Sequence, residues 1–174
     1  ETRDLETAEI VVRASLTGHL VFTTLHTNDA TGAVTRLVDM GIAPYLLASA
    51  ARAVLAQRLV RRLCPNCRRE TTLTGAEAGW LGQPKLAGRT AWEAAPDGCA
   101  ECLGGYKGRT GIHELLAVTP AVAEAVRLNV PPAELRRLAE AAGFRDMLAD
   151  GVDKILAGAT SAAEVLRAAG ARRD

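Results

Sequence analysis

The sequence predicts an α/β protein that carries a small four-cysteine metal module and ends in a helical subdomain. Three observations carry that prediction. A helix-periodic segment over residues 4–17 feeds a short β-branched and aromatic run, Leu20-Val21-Phe22-Thr23-Thr24-Leu25, the helix-to-buried-strand alternation of α/β folds. Two C-x-x-C pairs, Cys64/Cys67 and Cys99/Cys102, stand with residues 68–98 between them. Beyond residue 118, successive Pro and cap signals open a string of short helices.

Composition bounds the rest. A chain of 174 residues suits one ordinary domain, or a domain with a small module. Aromatics make up 3%, so the core is expected to be aliphatic. A net charge of +1 argues against a dominant surface for nucleic acid or anionic membrane. No apolar run is long enough to span a bilayer and no signal peptide is visible, so an intracellular setting with metal-bound thiolates is favoured over exported disulfides. The chain opens on Glu1, without Met and inside a dense charged string, and reads as a fragment of something longer.

Along the chain, Asp4 is a plausible N-cap for a helix whose stripe is Leu5, Ala8, Val12 and Leu16, closed by Gly18. The run 20–25 reads as a buried strand. Thr27-Asn28-Asp29 starts a second helix with Ala30, Ala33, Val34, Leu37 and Val38 on one face and Gly41 at its end. Pro44 opens a helical stretch over 45–51, and 54–62 is expected to be a strand delivering Cys64 to a metal knuckle. Residues 68–98, with five Gly and two Pro, read as the loop-rich body of the metal module. Four glycines over 103–111 mark a constrained backbone leading into a strand at Ile112-His113-Glu114-Leu115-Leu116. Helices are expected over 120–128, from Pro131-Pro132 to Gly143, over 146–157, and from a capping box at Ser161-Ala162-Ala163-Glu164, with a frayed tail at 171–174.

The chemistry-bearing residues are few. Two thiolate pairs on tight knuckles complete a tetrahedron, which is the preferred geometry of structural zinc; two disulfides or four reduced thiols are the alternatives that spacing leaves. His19 and His26 lie about 23 Å apart on a straight strand, on opposite faces, so they share a site only if the chain turns. His26 stands at the end of the expected strand where open α/β sheets place ligands, and a hydrogen-bonded structural histidine is the plain alternative for each. His113 has no partner at metal-ligand spacing and reads as structural. Glu1-Thr2-Arg3-Asp4 taken alone reads as a solvated terminus. Arg58, Arg61 and Arg62 are a solvated face or a phosphate or subunit contact. No G-x-x-x-x-G-K-[ST] string occurs, and Gly104–Gly111 fails that template because Lys107 precedes Gly108.

Taken together, Glu1-Thr2-Arg3-Asp4, Thr17-Gly18-His19-Leu20-Val21-Phe22-Thr23-Thr24-Leu25-His26-Thr27-Asn28, Ala56-Gln57-Arg58-Leu59-Val60-Arg61-Arg62-Leu63-Cys64 and Gly105-Tyr106-Lys107-Gly108-Arg109-Thr110-Gly111-Ile112-His113-Glu114-Leu115-Leu116 resemble the C-terminal part of the type II secretion and type IV pilus assembly ATPases. The resemblance implies a partial RecA-like P-loop NTPase core over 1–63, a four-cysteine zinc module over 64–102, a return to the core over 103–118 and a helical subdomain over 119–174. It implies a homo-hexamer that uses ATP and Mg²⁺, sits in the cytoplasm at the inner membrane, and works on an assembly platform protein there. It matches Glu1 to the catalytic Walker B glutamate, His26 and His19 to a nucleotide-facing histidine box, and Arg58 and Arg109 to nucleotide or inter-subunit contacts. A free-standing zinc-ribbon module binding a protein or nucleic acid, and a purely structural helical adaptor, are the competing readings.

Overall fold

Helices in this chain begin where a short polar side chain accepts an orphan amide. In the computed structural model, which describes residues 1–170, Asp4 Oδ1 accepts Thr7 N–H at 2.8 Å and opens α1 (Leu5–Leu16). Asp29 Oδ1 accepts Gly32 N–H at 2.6 Å and opens α2 (Ala30–Asp39). Thr119, Asp146 and Ser161 do the same for α5 (Pro120–Arg127), α7 (Met147–Leu156) and α8 (Ala162–Ala169). Proline at the first turn serves α3 (Pro44–Ala50) and α6 (Pro132–Ala141), where its missing N–H costs nothing. The expected tail at 171–174 lies outside the described residues.

The chain divides into two compact units. The first comprises Glu1–Ala56 and Glu114–Arg145. Its core is aliphatic, as the scarcity of aromatics requires: Ala8, Val12, Val34, Leu47, Leu116, Val122 and Leu135 pack together. The second comprises Gln57–His113 and Asp146–Asp174. Within it α4 (Gly75–Trp80) and the antiparallel pair β2 (Arg69–Thr72) and β3 (Thr90–Glu93) form the body between the cysteine pairs, in register Arg69↔Glu93 to Thr72↔Thr90. The helices α5 and α6 belong to the first unit, and α7 and α8 to the second.

Two long strands pair as a two-stranded sheet, β1 (Ala53–Leu63) and β4 (Tyr106–Ala117). Val118 N–H donates to Arg52 O beyond one end and Cys64 N–H to Gly105 O beyond the other, each at 2.9 Å, so the strands run in opposite directions. The strand expected over 54–62 is therefore present, and the one expected over 112–116 begins earlier, at Tyr106. Ile112, Glu114 and Leu116 alternate on its buried face.

Three expectations are corrected. Residues 20–25 form no strand, and Leu20 and Phe22 are 77% and 88% exposed. An apolar run becomes a strand only against a ladder partner, and here the backbone link among the described residues is a single bond, Thr2 N–H to Thr24 O at 2.9 Å. Residues 68–98 are more ordered than a loop-rich body, because Thr74 and Glu77 make a complete capping box for α4 and two four-residue strands close the hairpin. The box expected at Ser161 is only half formed: Ser161 Oγ accepts Glu164 N–H, but the Glu164 carboxylate turns to Arg61 and Arg167 instead.

Candidate functional site

Two clusters carry the chemistry, one in each unit. In the first unit Thr2 is 3% exposed. Its amide bonds Thr24 O and its hydroxyl meets Thr23 Oγ1 at 2.8 Å, so the opening residues lie along the 20–26 segment rather than fraying into solvent. That placement brings Glu1 Oε1 to 2.5 Å from His26 Nε2, while Glu1 Oε2 accepts from Arg3 Nη2 at 2.6 Å. The Arg3 guanidinium, opposed by partial desolvation and helped by His26, holds the Glu1 carboxyl below its ordinary value. The result is an ionised carboxylate oriented by a cation on one side and an imidazole on the other. The His26 side chain is 83% exposed, so the pair is open to a reactant. An arrangement of this kind can orient a water, accept its proton, or sit beside a bound cation.

His19 does not join the pair; its Nδ1 lies 3.2 Å from Thr17 Oγ1 and its amide donates to Ala14 O. Arg58 lies on β1 and Arg109, exposed, on β4. Arg61 separates from the expected arginine cluster: it stacks 4.0 Å from the Tyr106 ring centroid and donates to the buried Glu164 at 2.7 Å. His113, read as structural, donates its amide to Asp150 at 2.8 Å, and its Nδ1 lies 3.6 Å from the same carboxylate.

In the second unit the four sulfurs converge. Cys64 Sγ lies 3.8 Å from Cys99 Sγ, and Cys102 Sγ lies 3.6 Å from both Cys67 Sγ and Cys99 Sγ; all four ligand atoms fall within 4.8 Å of one another. A tetrahedral ion at a metal–sulfur bond of about 2.3 Å sets its sulfurs about 3.8 Å apart. A disulfide would hold them at about 2.05 Å. The residues present thus fit a four-thiolate metal ion and not two disulfides. The second knuckle is built by Gly104 and Gly105, with φ of +57° and +78°, whose turn lets Leu103 and Tyr106 exchange backbone bonds at 3.1 Å. Burial pushes the Cys67 thiol up to about 12, and neighbouring sulfurs add to it. Burial acts on Cys102 too, but the Cys99 amide at 3.2 Å and adjacent groups outweigh it and draw that thiol down to about 7.

The family model described as type II/IV secretion system protein matches residues 1–167. The chain belongs to the type II/IV secretion system protein family. It is 51% identical to type II secretion system protein E of Aeromonas hydrophila, over 96% of this chain and 33% of that protein. It is 47% identical to type II secretion system ATPase E of Vibrio cholerae, over 96% of this chain and 33% of that one. It is 40% identical to type IV pilus assembly ATPase PilB of Acinetobacter baylyi, over 96% of this chain and 29% of that protein. The chain thus spans about a third of the length of the curated relatives it matches. Among solved structures it resembles the pilus retraction motor PilT with bound ADP, at a TM-score of 0.63 and 23% identity, over the whole of this chain and 38% of that one. That likeness shows the α/β fold of this secretion-family chain. No helix among its described residues is long and apolar enough to cross a membrane.

Sequence reasoning missed one buried acid in the first unit. Glu114, 4% exposed, accepts Ala30 N–H at 2.6 Å, at the start of α2 and four residues beyond His26. The signal was present: an acid at the centre of Ile112-x-Glu114-x-Leu116 occupies a core register position.

Proposed function

We propose that this chain is the C-terminal part of a hexameric ATPase motor that couples ATP binding and hydrolysis to type II protein secretion or type IV pilus assembly. The observation that carries the reading is the Glu1–His26 contact at 2.5 Å, which joins two motif strings that spacing alone left apart. On this reading residues 1–63 and 103–118 belong to a RecA-like core, 64–102 to a zinc module, and 119–174 to a helical subdomain. The full-length protein works in the cytoplasm on an inner-membrane platform protein.

Zinc is the ion we assign to Cys64, Cys67, Cys99 and Cys102, because a tetrahedral all-thiolate set suits it and its role there is to fold the knuckles together. ATP and Mg²⁺ would sit at the first cluster beside Glu1 and His26, where the metal would neutralise phosphate charge. Glu1, ionised and held by Arg3, would take a proton from the attacking water. His26 fixes the direction of that carboxylate and faces the nucleotide, with His19 farther along the same segment. Arg58 and Arg109 supply guanidinium forks for phosphate or for a neighbouring subunit.

The sequence holds no G-x-x-x-x-G-K-[ST] string, so this chain alone lacks the phosphate cradle of a P-loop. We expect one zinc per chain by metal analysis, steady ATP turnover by the full-length protein, and none above background by this chain alone. A full-length protein that binds zinc and neither binds nor hydrolyses ATP would overturn the motor reading in favour of a zinc-ribbon interaction module.

A further inference from the structure

We propose that Glu114 is a positioning residue for the Glu1–His26 pair, acting through the start of α2. The inference rests on the reading of that pair as the ATP-hydrolysing cluster.

Glu114 is out of character for its place. It stands between Ile112 and Leu116, both fully buried, on the face of β4 that the alternation reserves for core residues, and is itself 4% exposed. An acid at such a position loses its water and must be compensated by strong hydrogen bonds. The compensation is specific. Glu114 Oε1 accepts the amide of Ala30, the first residue of α2, at 2.6 Å across 84 positions of sequence.

That helix already has a local cap. Asp29 Oδ1 accepts Gly32 N–H at 2.6 Å and Thr31 Oγ1–H at 2.9 Å. A second carboxylate is therefore not needed to start the helix, although the positive helix end favours it. What Glu114 adds is a fixed point from outside the helix. Ala30 lies four residues beyond His26, and the segment between forms no regular structure. Thr2 ties the middle of that segment through Thr23 and Thr24, and His19 N–H to Ala14 O ties its start. Glu114 ties its end. With no ladder to set its course, these ties, along with Thr27 Oγ1–H donating to Asp29 O at 3.2 Å, help to set the position of the His26 ring against Glu1.

The test uses three variants, Glu114→Gln, Glu114→Asp and Glu114→Leu, with two readouts on this chain and one on the full-length protein. Hydrogen exchange of the Ala30 amide reports the bond. The ¹⁵N shift of His26 Nε2 reports its contact with Glu1, calibrated by Glu1→Gln. Glu114→Gln keeps a carbonyl acceptor of the same reach and should stay close to wild type in all readouts. Glu114→Leu, or Glu114→Asp should the leucine variant fail to fold, should free the Ala30 amide and move the His26 signal towards its Glu1→Gln position. In the full-length protein the same variant should lower kcat by about 10²-fold, the scale of a 1 Å misplacement, with KM for ATP little changed. Faster Ala30 exchange with the His26 signal unmoved would make Glu114 a second helix cap and overturn the proposal. If Glu1→Gln itself left turnover intact, the ATP-site reading would fall, while the His26 signal would still decide whether Glu114 positions that ring.

Discussion

Replacing Glu164 by Gln should destabilise the second unit by about 2 kcal/mol at neutral pH, and the loss should fade in acid. Glu164 is 1% exposed and its two oxygens take four bonds: Arg61 N–H at 2.9 Å, Arg61 Nη2 at 2.7 Å, and Arg167 Nε and Nη2 at 2.9 and 3.1 Å. Burial pushes this carboxyl up, but Arg167 and Arg61 outweigh it and hold it at about 2 against an ordinary 4.5. At 1.36 kcal/mol per pH unit that difference is worth about 3 kcal/mol to the folded state. The arginine side chains are 50% and 61% exposed, and solvent screening reduces the figure to about 2 kcal/mol. Because the folded carboxyl is the stronger acid, the stabilisation is fully present above about pH 4.5 and is lost as pH falls towards 2. Urea unfolding followed by tryptophan fluorescence, in wild type and Glu164→Gln, should therefore show a constant gap from pH 7 to 5 and less than half of it at pH 3. In thermal melts the neutral-pH gap should read as about 4–8 °C. A gap that is absent at pH 7, or that persists undiminished at pH 3, would refute the assignment of the Arg61–Glu164–Arg167 network as a charged clamp.

Other consequences follow from the metal module. Cys64→Ser or Cys99→Ser should abolish stoichiometric metal by elemental analysis and raise amide exchange over 64–102, while α1, α2 and α5 keep their protection; a variant retaining full metal would contradict a four-thiolate site. Gly105→Ala should speed metal loss to a chelator by at least about tenfold, the rate equivalent of the 1–2 kcal/mol that a left-handed alanine costs. Its added Cβ would meet Ala95 O at 2.7 Å as well as adopt a φ of +78°. Unchanged chelator kinetics would show that the turn is not fixed by that glycine. Asp4→Ala should cost about 1 kcal/mol in unfolding experiments, since the N-cap bonding to Thr7 is lost.

How much of this could be read beforehand depended on how local the signal was. The caps at Asp4 and Asp29 depend on one side chain and an amide three residues on, and each helix started where its cap stood. The cysteine site was legible because sulfur spacing restricts the geometry, and the sulfurs converge accordingly. What failed was non-local. Residues 20–25 had a strand's composition but no ladder partner to make it one. Arg69-Glu70-Thr71-Thr72 carries no apolar alternation, yet becomes β2 because Thr90–Glu93 pairs with it. Glu164 left its expected cap bond because two arginines offered its carboxylate more than the amide did. Glu1 and His26 were singled out separately through motif resemblance, and nothing local in the sequence joined them; the contact at 2.5 Å goes with Thr2 lying along the segment.

On the proposed reading, Glu1 and His26 act as one unit on ATP. This is tested most directly by a double-mutant cycle in the full-length protein, measuring ATP turnover of Glu1→Gln, His26→Asn and the pair together. If His26 works by holding the Glu1 carboxylate, the double variant should lose no more than Glu1→Gln alone, as residues that act together are strongly non-additive. Losses that multiply, or a Glu1→Gln turnover within about threefold of wild type, would contradict it.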